Sequence, residues 1–179
     1  MIFLLTAAVL ALPLPRQATA PQEAERPVIE KKTVSAGGVS VHFLTIPWGP
    51  NTFAAMEGPG ESFYNRRDWP FARLELKGAV TLEGSPIPPG NYALVFHPNT
   101  PDNQGMSLEV RKIAVEEFLV PGNVMTKTPQ GETAATSTAA FETVGATVPA
   151  LVIELLPATG RASLLIRYGD RKLVKSLAF

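Results

Sequence analysis

Residues 71–97, which read FARLELKGAVTLEGSPIPPGNYALVFH, decide the predicted fold. Apolar and charged side chains alternate through Phe71–Lys77, which is the period-two pattern of a strand with one buried face. A turn rich in proline and glycine, residues 84–90, leads into Asn91–His97, whose apolar centre is typical of a strand covered on both faces. This stretch therefore predicts strands joined by tight turns.

Similar short patterns flank this stretch on both sides. Residues 39–43 alternate until Pro47 ends the pattern, and Met106–Ile113 alternates again. Three strands and one weaker one are predicted further on, separated by the hairpin signals at 157–160 and at Gly169-Asp170: Leu151–Leu156, Ala162–Tyr168, Lys172–Ala178 and, more weakly, Phe141–Val144. Seven or eight short strands at this spacing predict an all-β fold, an antiparallel β-sandwich, with a β-barrel as the alternative.

Two segments of the domain lack the strand pattern. Ile113–Val120 has helical spacing and is stopped by Pro121-Gly122, so one short helix is predicted near 113–120. Residues 123–140 are rich in Thr, Ala and Gly without periodicity, which predicts a loop that contributes nothing to the core.

The composition excludes several classes of function. Sixteen Lys and Arg balance sixteen Asp and Glu, so no net charge draws the chain to nucleic acid or to an anionic membrane. The absence of cysteine excludes disulfides, thiolate metal sites and a Cys nucleophile. His42 and His97 are the two histidines, too few for an all-histidine zinc site, so neither a metal site nor a cofactor is predicted.

The N-terminus predicts export to the periplasm or the extracellular space. Residues 2–14 are an apolar run, and Ala18-Thr19-Ala20 has the small-x-small pattern of a signal-peptidase site, so residues 1–20 are interpreted as a signal peptide. The run is shorter than the ~20 residues that span a bilayer, so no membrane span is expected in the mature chain. Residues 21–36 are predicted to be a flexible tether and residues 37–179 a single domain, while Pro21 leaves the cleavage position open.

Residues 81–94, TLEGSPIPPGNYAL, resemble the signature of a bacterial exported family catalogued as domain of unknown function 2911. Residues 164–170, LLIRYGD, resemble the closing hairpin of that family, which usually has Trp where this chain has Tyr168. The resemblance covers roughly residues 71–179 and implies an exported β-sandwich without an established chemistry.

The chain departs from that family ahead of its first matching strand. The family carries a Trp-Arg-x-Gly-Ala-Asn cluster there, whereas residues 66–73 of this chain read RRDWPFAR. A role of that cluster in relatives therefore cannot be carried over to these residues.

The stretch from Pro47 to Pro70 is the predicted functional segment, because long loops without their own secondary structure are often functional. It holds both tryptophans of the chain, interleaved with amides and charged groups that suit a sugar ring or a peptide. The candidate ligand-binding residues are Trp48, Asn51, Tyr64, Arg66, Arg67, Asp68 and Trp69. The alternative is a loop whose aromatic side chains only plug the end of the sandwich, with Arg66-Arg67-Asp68 as a local surface ion pair.

Three functions stay open from the residues alone, and no catalytic residue is assigned. The sequence favours a non-enzymatic module that binds a glycan, a peptide or an envelope protein through residues 47–70. A hydrolase would pair His42 or His97 with a carboxylate from that loop. A structural subunit would pair with another chain through an exposed sheet edge.

Overall fold

The computed structural model describes residues 28–49, 68–98, 105–113 and 131–179, and within these ranges it contains ten β-strands and no helix. The strands are β1 Lys31–Ala36, β2 Val39–Leu44, β3 Trp69–Leu76, β4 Val80–Leu82, β5 Ser85–Ile87, β6 Gly90–Pro98, β7 Met106–Lys112, β8 Thr133–Thr138, β9 Glu142–Ala158 and β10 Arg161–Ala178. None of the described segments is a helix long and apolar enough to cross a membrane.

The strands form two antiparallel sheets, as the sandwich prediction requires, and not the single closed sheet of the alternative. The first sheet has the order β1-β2-β3-β6-β7-β8 and the second the order β5-β4-β10-β9. The strand count exceeds the predicted seven or eight. The all-β class and the antiparallel pairing are confirmed.

The core lies between the two sheets and is built from the alternating positions that the sequence shows. Leu74 of β3, Leu94 of β6 and Leu108 of β7 come from the first sheet, and Ile153 and Ile166 face them from the second. All five are at most 1% exposed. Burying each such side chain contributes about 1.5–3 kcal/mol relative to leaving it in water.

A bulge at Phe71 sets the direction of the side chains at the start of β3. Pro70 pairs with Val95 and Ala72 pairs with Leu94, so Phe71 is the extra residue. Its ring stacks on Phe96 with centroids 4.2 Å apart. This shift points Phe71 and Trp69 into the sandwich.

Strand β10 doubles back on itself near Gly169. It spans 18 residues, which at roughly 3.3 Å each would separate its ends by about 55 Å if it ran straight. Yet Phe179 N donates to Gly160 O at 3.0 Å. Gly169 has a φ of 61° and lies between two register shifts, so the reversal occurs where the Gly169-Asp170 signal predicts a hairpin.

The predicted tether is corrected over its last part. Residues 31–36 are not a linker but strand β1, which pairs with β2 from Lys31–Leu44 to Ala36–Val39. β1 is the outer strand of its sheet and its side chains are mostly exposed, so its composition is that of a solvated segment.

The predicted loop at 123–140 is also corrected, because residues 133–138 form β8. Its inward positions are the small residues Ala135 and Ser137, each 6% exposed, and threonines alternate with them. Small side chains carry little hydrophobic signal, so the sequence of β8 does not show the period-two pattern of a strand. The helix predicted near 113–120 lies outside the described residues except for Ile113, which is not helical.

Candidate functional site

Trp48 and Trp69, which flank residues 50–67, meet at one end of the sandwich. The Trp48 ring lies edge-on to Tyr168 with centroids 5.1 Å apart. The Trp69 ring lies 5.5 Å from the same tyrosine and 6.3 Å from Phe96. Both tryptophans are partly buried against the core, so the two ends of the segment are anchored on one aromatic cluster.

Trp48 is fixed by backbone contacts as well as by its ring. Its N–H donates to the Pro149 carbonyl at 2.8 Å, and the Tyr168 hydroxyl donates to the Pro47 carbonyl at 2.7 Å. The ring covers Gly169 so closely that a Cβ atom there would lie 2.3 Å from it. Glycine is therefore required at 169 for two reasons, the positive φ and the space.

Trp69 occupies the inner side of the chain where β3 begins. Its indole Nε1 is buried and has no hydrogen-bond acceptor among the described residues. An unsatisfied buried donor costs about 1–3 kcal/mol. A ligand oxygen or a water reaching this cluster would remove that cost.

Asp68, one residue earlier, lies on the opposite, outward side and holds two partners from other strands. Its Oδ1 accepts from His97 Nδ1 at 2.5 Å, and its Oδ2 accepts from Arg111 Nη1 at 2.5 Å. Arg111 Nε donates to Glu109 Oε2 at 2.7 Å, and the Thr133 hydroxyl donates to the same oxygen at 3.3 Å. We call Asp68, His97, Glu109 and Arg111 the Asp68 network.

The network crosses the outer face of the first sheet. Glu109 pairs with Val95, and Val95 pairs with Pro70, so the Arg111–Asp68 ion pair connects β7 to the start of β3 across the central strand β6. This accounts for Val95 being 0% exposed although it points away from the core.

The charges of the network are mutually stabilised. Burial raises the pKa of Asp68, but hydrogen bonds from Arg111 and His97 outweigh it, so the pKa of that carboxyl lies below its ordinary value. Burial lowers the pKa of Arg111, and the bonds to Asp68 and Glu109 outweigh this in turn, leaving it raised. A carboxylate can only accept a hydrogen bond, so His97 Nδ1 is the donor in its contact with Asp68.

His42 has a different setting, farther along the same face. Its Nδ1 lies 2.8 Å from the Thr33 hydroxyl and its Nε2 lies 3.4 Å from Glu75 Oε2. Burial and the Arg73 charge lower the pKa of His42 despite Glu75. The His42 side chain is 15% exposed and that of His97 is 45% exposed, so His97 is the accessible imidazole.

A second polar cluster ties the two sheets together where β5 approaches β8. Glu83, in the β4–β5 turn, accepts from the Ser137 hydroxyl and from Lys175 Nζ, the latter at 3.0 Å. Lys175 is 7% exposed, which is unusual for a lysine. Glu83 has a φ of 49°, a conformation that non-glycine residues seldom adopt.

The structure brings together two of the seven candidate residues, since Trp48 and Trp69 converge on Tyr168. Asp68 faces the opposite, outer side of the sheet, where it contacts His97 and Arg111. The other four lie outside the described residues: Asn51, Tyr64, Arg66 and Arg67. Among the described residues, the partners of Asp68 come from β6 and β7.

The sequence alone does not show that the other residues of the Asp68 network, or those around Glu83, contact one another. Glu109 and Arg111 alternate with the core residues of β7, which places them outward, but nothing in the sequence shows that they reach Asp68. Lys175 and Ser137 occupy inward positions, where polar side chains were not expected. Among the described residues, no group of three His, Asp or Glu side chains is arranged to hold a metal ion.

Comparison of the chain with protein-family models, with curated proteins and with solved structures finds no match, so the resemblance to the domain of unknown function 2911 family stays a prediction.

Proposed function

We propose that this protein is an exported binding module that recognises a glycan or a peptide where residues 47–70 leave and rejoin the sandwich. The observation that carries the proposal is the meeting of Trp48 and Trp69 on Tyr168. A long segment whose two ends are held side by side on a rigid sheet resembles the binding loops that other sandwiches carry at one end. Export itself rests on the N-terminal sequence pattern.

The chemistry around the two anchors supports a polar ligand with flat or apolar faces. Trp48 and Trp69 keep part of their surface exposed, which suits stacking on a sugar ring or a peptide side chain. The unsatisfied Nε1 of Trp69 and the accessible imidazole of His97 supply hydrogen-bonding groups on the two sides of the same chain end.

Intrinsic fluorescence tests the proposal, since both tryptophans of the chain belong to this cluster. Soluble cell-wall oligosaccharides and a peptide library would be titrated into the purified full chain while the tryptophan emission is recorded. Binding is expected to shift or quench the emission, and Tyr64→Ala with Arg66→Ala is expected to weaken it at least about tenfold, or about 1.4 kcal/mol.

The matched control is Val174→Ser on the second sheet, an exposed position outside residues 47–70. Where the role of Trp48 itself is tested, Trp48→Phe is preferred to Trp48→Ala, because phenylalanine keeps a ring over Gly169. Unchanged emission with every probe, or equal affinity of the loop variant and the control, would contradict the proposal.

A further inference from the structure

The first half of β9, residues 142–148, forms a strand without burying a side chain. Val144 and Val148 are half-buried there and the other residues are exposed, whereas Leu151 and Ile153 farther along β9 lie in the core. Ordering a segment of backbone costs conformational entropy, which the burial of apolar surface normally offsets. Residues 142–148 gain little of that burial from the described part of the sandwich.

One edge of residues 142–148 is paired, and the other has no strand beside it among the residues that the structure describes. β10 pairs with this half of β9 from Glu142 to Val148. On the other side, the bridge between Pro47 and Ala150 lies just beyond it. The open edge therefore runs from Glu142 to Val148, and Gly145 is its middle residue.

Two of the other three outermost strands carry features that oppose pairing with a further strand, and the third lies beside another strand. β1 begins with Lys31 and Lys32, β5 is three residues long with Pro86 at its centre, and β8 lies alongside β5. Charges, proline and short length are the usual means by which sheet edges avoid further pairing. Residues 143–148, which read TVGATV, have no charge and no proline.

The open edge is complementary to a second copy of itself. Antiparallel pairing about a two-fold axis at Gly145 places Thr143 opposite Thr147 of the second copy and Glu142 opposite Val148. Threonine pairs across strands are favourable, and like charges do not face each other, because Glu142 is the one charged residue of this edge. An axis at another residue would pair fewer residues or bring one copy against the bridge segment of the other.

We propose that two copies of this chain form a dimer by pairing their open edges, residues 142–148, antiparallel about Gly145. The pairing gives hydrogen-bond partners to the backbone N–H and C=O groups of this edge and covers side chains that one copy leaves exposed. It joins the four-stranded sheets of the two copies into one continuous sheet. The dimer goes beyond the proposed ligand recognition and does not rest on it, so either can fail without the other.

Disulfide trapping tests the pairing directly, because the chain contains no cysteine. Gly145→Cys places two thiols opposite each other at the axis, within the Cα separation that a disulfide accepts. A Cβ atom at Gly145 meets no other atom within 4 Å, so the substitution is expected to fold. We expect the oxidised full chain of this variant to run as a covalent dimer on a non-reducing gel.

Leu156→Cys is the matched control for trapping, because Leu156 is exposed on the same strand but lies outside residues 142–148. It is expected to stay monomeric under the same oxidation. Equal cross-linking of the two variants, or none in Gly145→Cys, would overturn the proposed pairing.

Analytical ultracentrifugation of the full chain without substitutions measures the affinity of the dimer. Gly145→Lys is expected to weaken it at least about tenfold, because two ammonium groups then lie opposite each other. Leu156→Lys, the control with the same added charge, is expected to leave the affinity unchanged. A wild type that stays monomeric up to about 1 mM would overturn the proposal, as would a dimer that folded Gly145→Lys keeps at wild-type affinity.

Discussion

At the scale of single residues, three glycines separate the effect of space from the effect of backbone conformation. Gly169 has a φ of 61° and lies under the Trp48 ring, Gly160 has a φ of 66° with open space around it, and Gly145 has neither constraint. The three positions belong to the same pair of long strands or to their turns. They therefore form a graded set of alanine substitutions.

We predict that Gly169→Ala lowers the free energy of unfolding by about 2–4 kcal/mol, because left-handed strain adds to a clash with Trp48. Gly160→Ala should cost about 1 kcal/mol from strain alone, and Gly145→Ala should leave stability unchanged or raise it by up to about 1 kcal/mol. Chemical unfolding followed by circular dichroism measures all three. Equal losses for Gly169→Ala and Gly160→Ala would show that the indole does not occupy the place described.

The sequence predicts some single residues of the candidate site but not the contacts between them. The aromatic residues at both ends of 47–70 could be singled out because tryptophan is rare and the segment is long. The contact between Asp68 and His97 could not, because it depends on the bulge at Phe71 and on the β3–β6 register. Arg66 and Arg67 are the arginines nearest to Asp68 in the sequence, and nothing in the sequence shows that the register also brings Arg111 to it from a distant strand.

At the scale of elements, the strength of the hydrophobic alternation decided which strands could be predicted. β3 and β7 alternate large apolar with charged side chains, so both were predicted close to their observed bounds. β8 buries only alanine and serine at its inward positions, and β1 buries very little, so the sequence predicts a loop at β8 and a flexible tether at β1. Both are the outermost strands of the first sheet among the described residues.

The pairing of β1 predicts that it contributes to stability although it is mostly exposed. A chain starting at Gly37 should be less stable than one starting at Val28 by about 3 kcal/mol, at roughly 0.5–1 kcal/mol for each backbone hydrogen bond lost. It should also aggregate more readily, because the edge of β2 becomes free to pair. Denaturant midpoints and light scattering compare the two chains, and equal values would restore the tether interpretation.

At the scale of the whole molecule, one charged group links the two sheets at the side where β5 approaches β8. Glu83 bonds Ser137 of the first sheet and Lys175 of the second, from a turn held at a φ of 49°. Lys175 is almost fully buried, so loss of its partner leaves a charge in the interior, which is costly. The two sheets share one core, and this link closes that side of it.

Glu83→Gln is predicted to lower the free energy of unfolding by about 1–2 kcal/mol at neutral pH, because Lys175 loses its counter-charge. The turn conformation is unchanged by this substitution, so the comparison isolates the charge. Hydrogen bonding from Ser137 and then Lys175 lowers the pKa of Glu83 against the opposing effect of burial. Its stabilisation is therefore complete above the unfolded pKa near 4.5 and is lost as the pH falls through the lower folded value.

Unfolding free energies of the wild type and the variant, measured by denaturant titration from pH 7 downward, should converge only in acid below about pH 4. The matched control is Glu142→Gln, which removes a carboxylate 2.8 Å from Lys172 but on the surface, with the Glu142 side chain 69% exposed. Its effect should stay within about 0.5 kcal/mol at neutral pH, since exposed ion pairs contribute little. A loss at Glu83 no larger than at Glu142, or a difference that grew as the pH fell, would mean that the link between the sheets does not depend on the Glu83 charge.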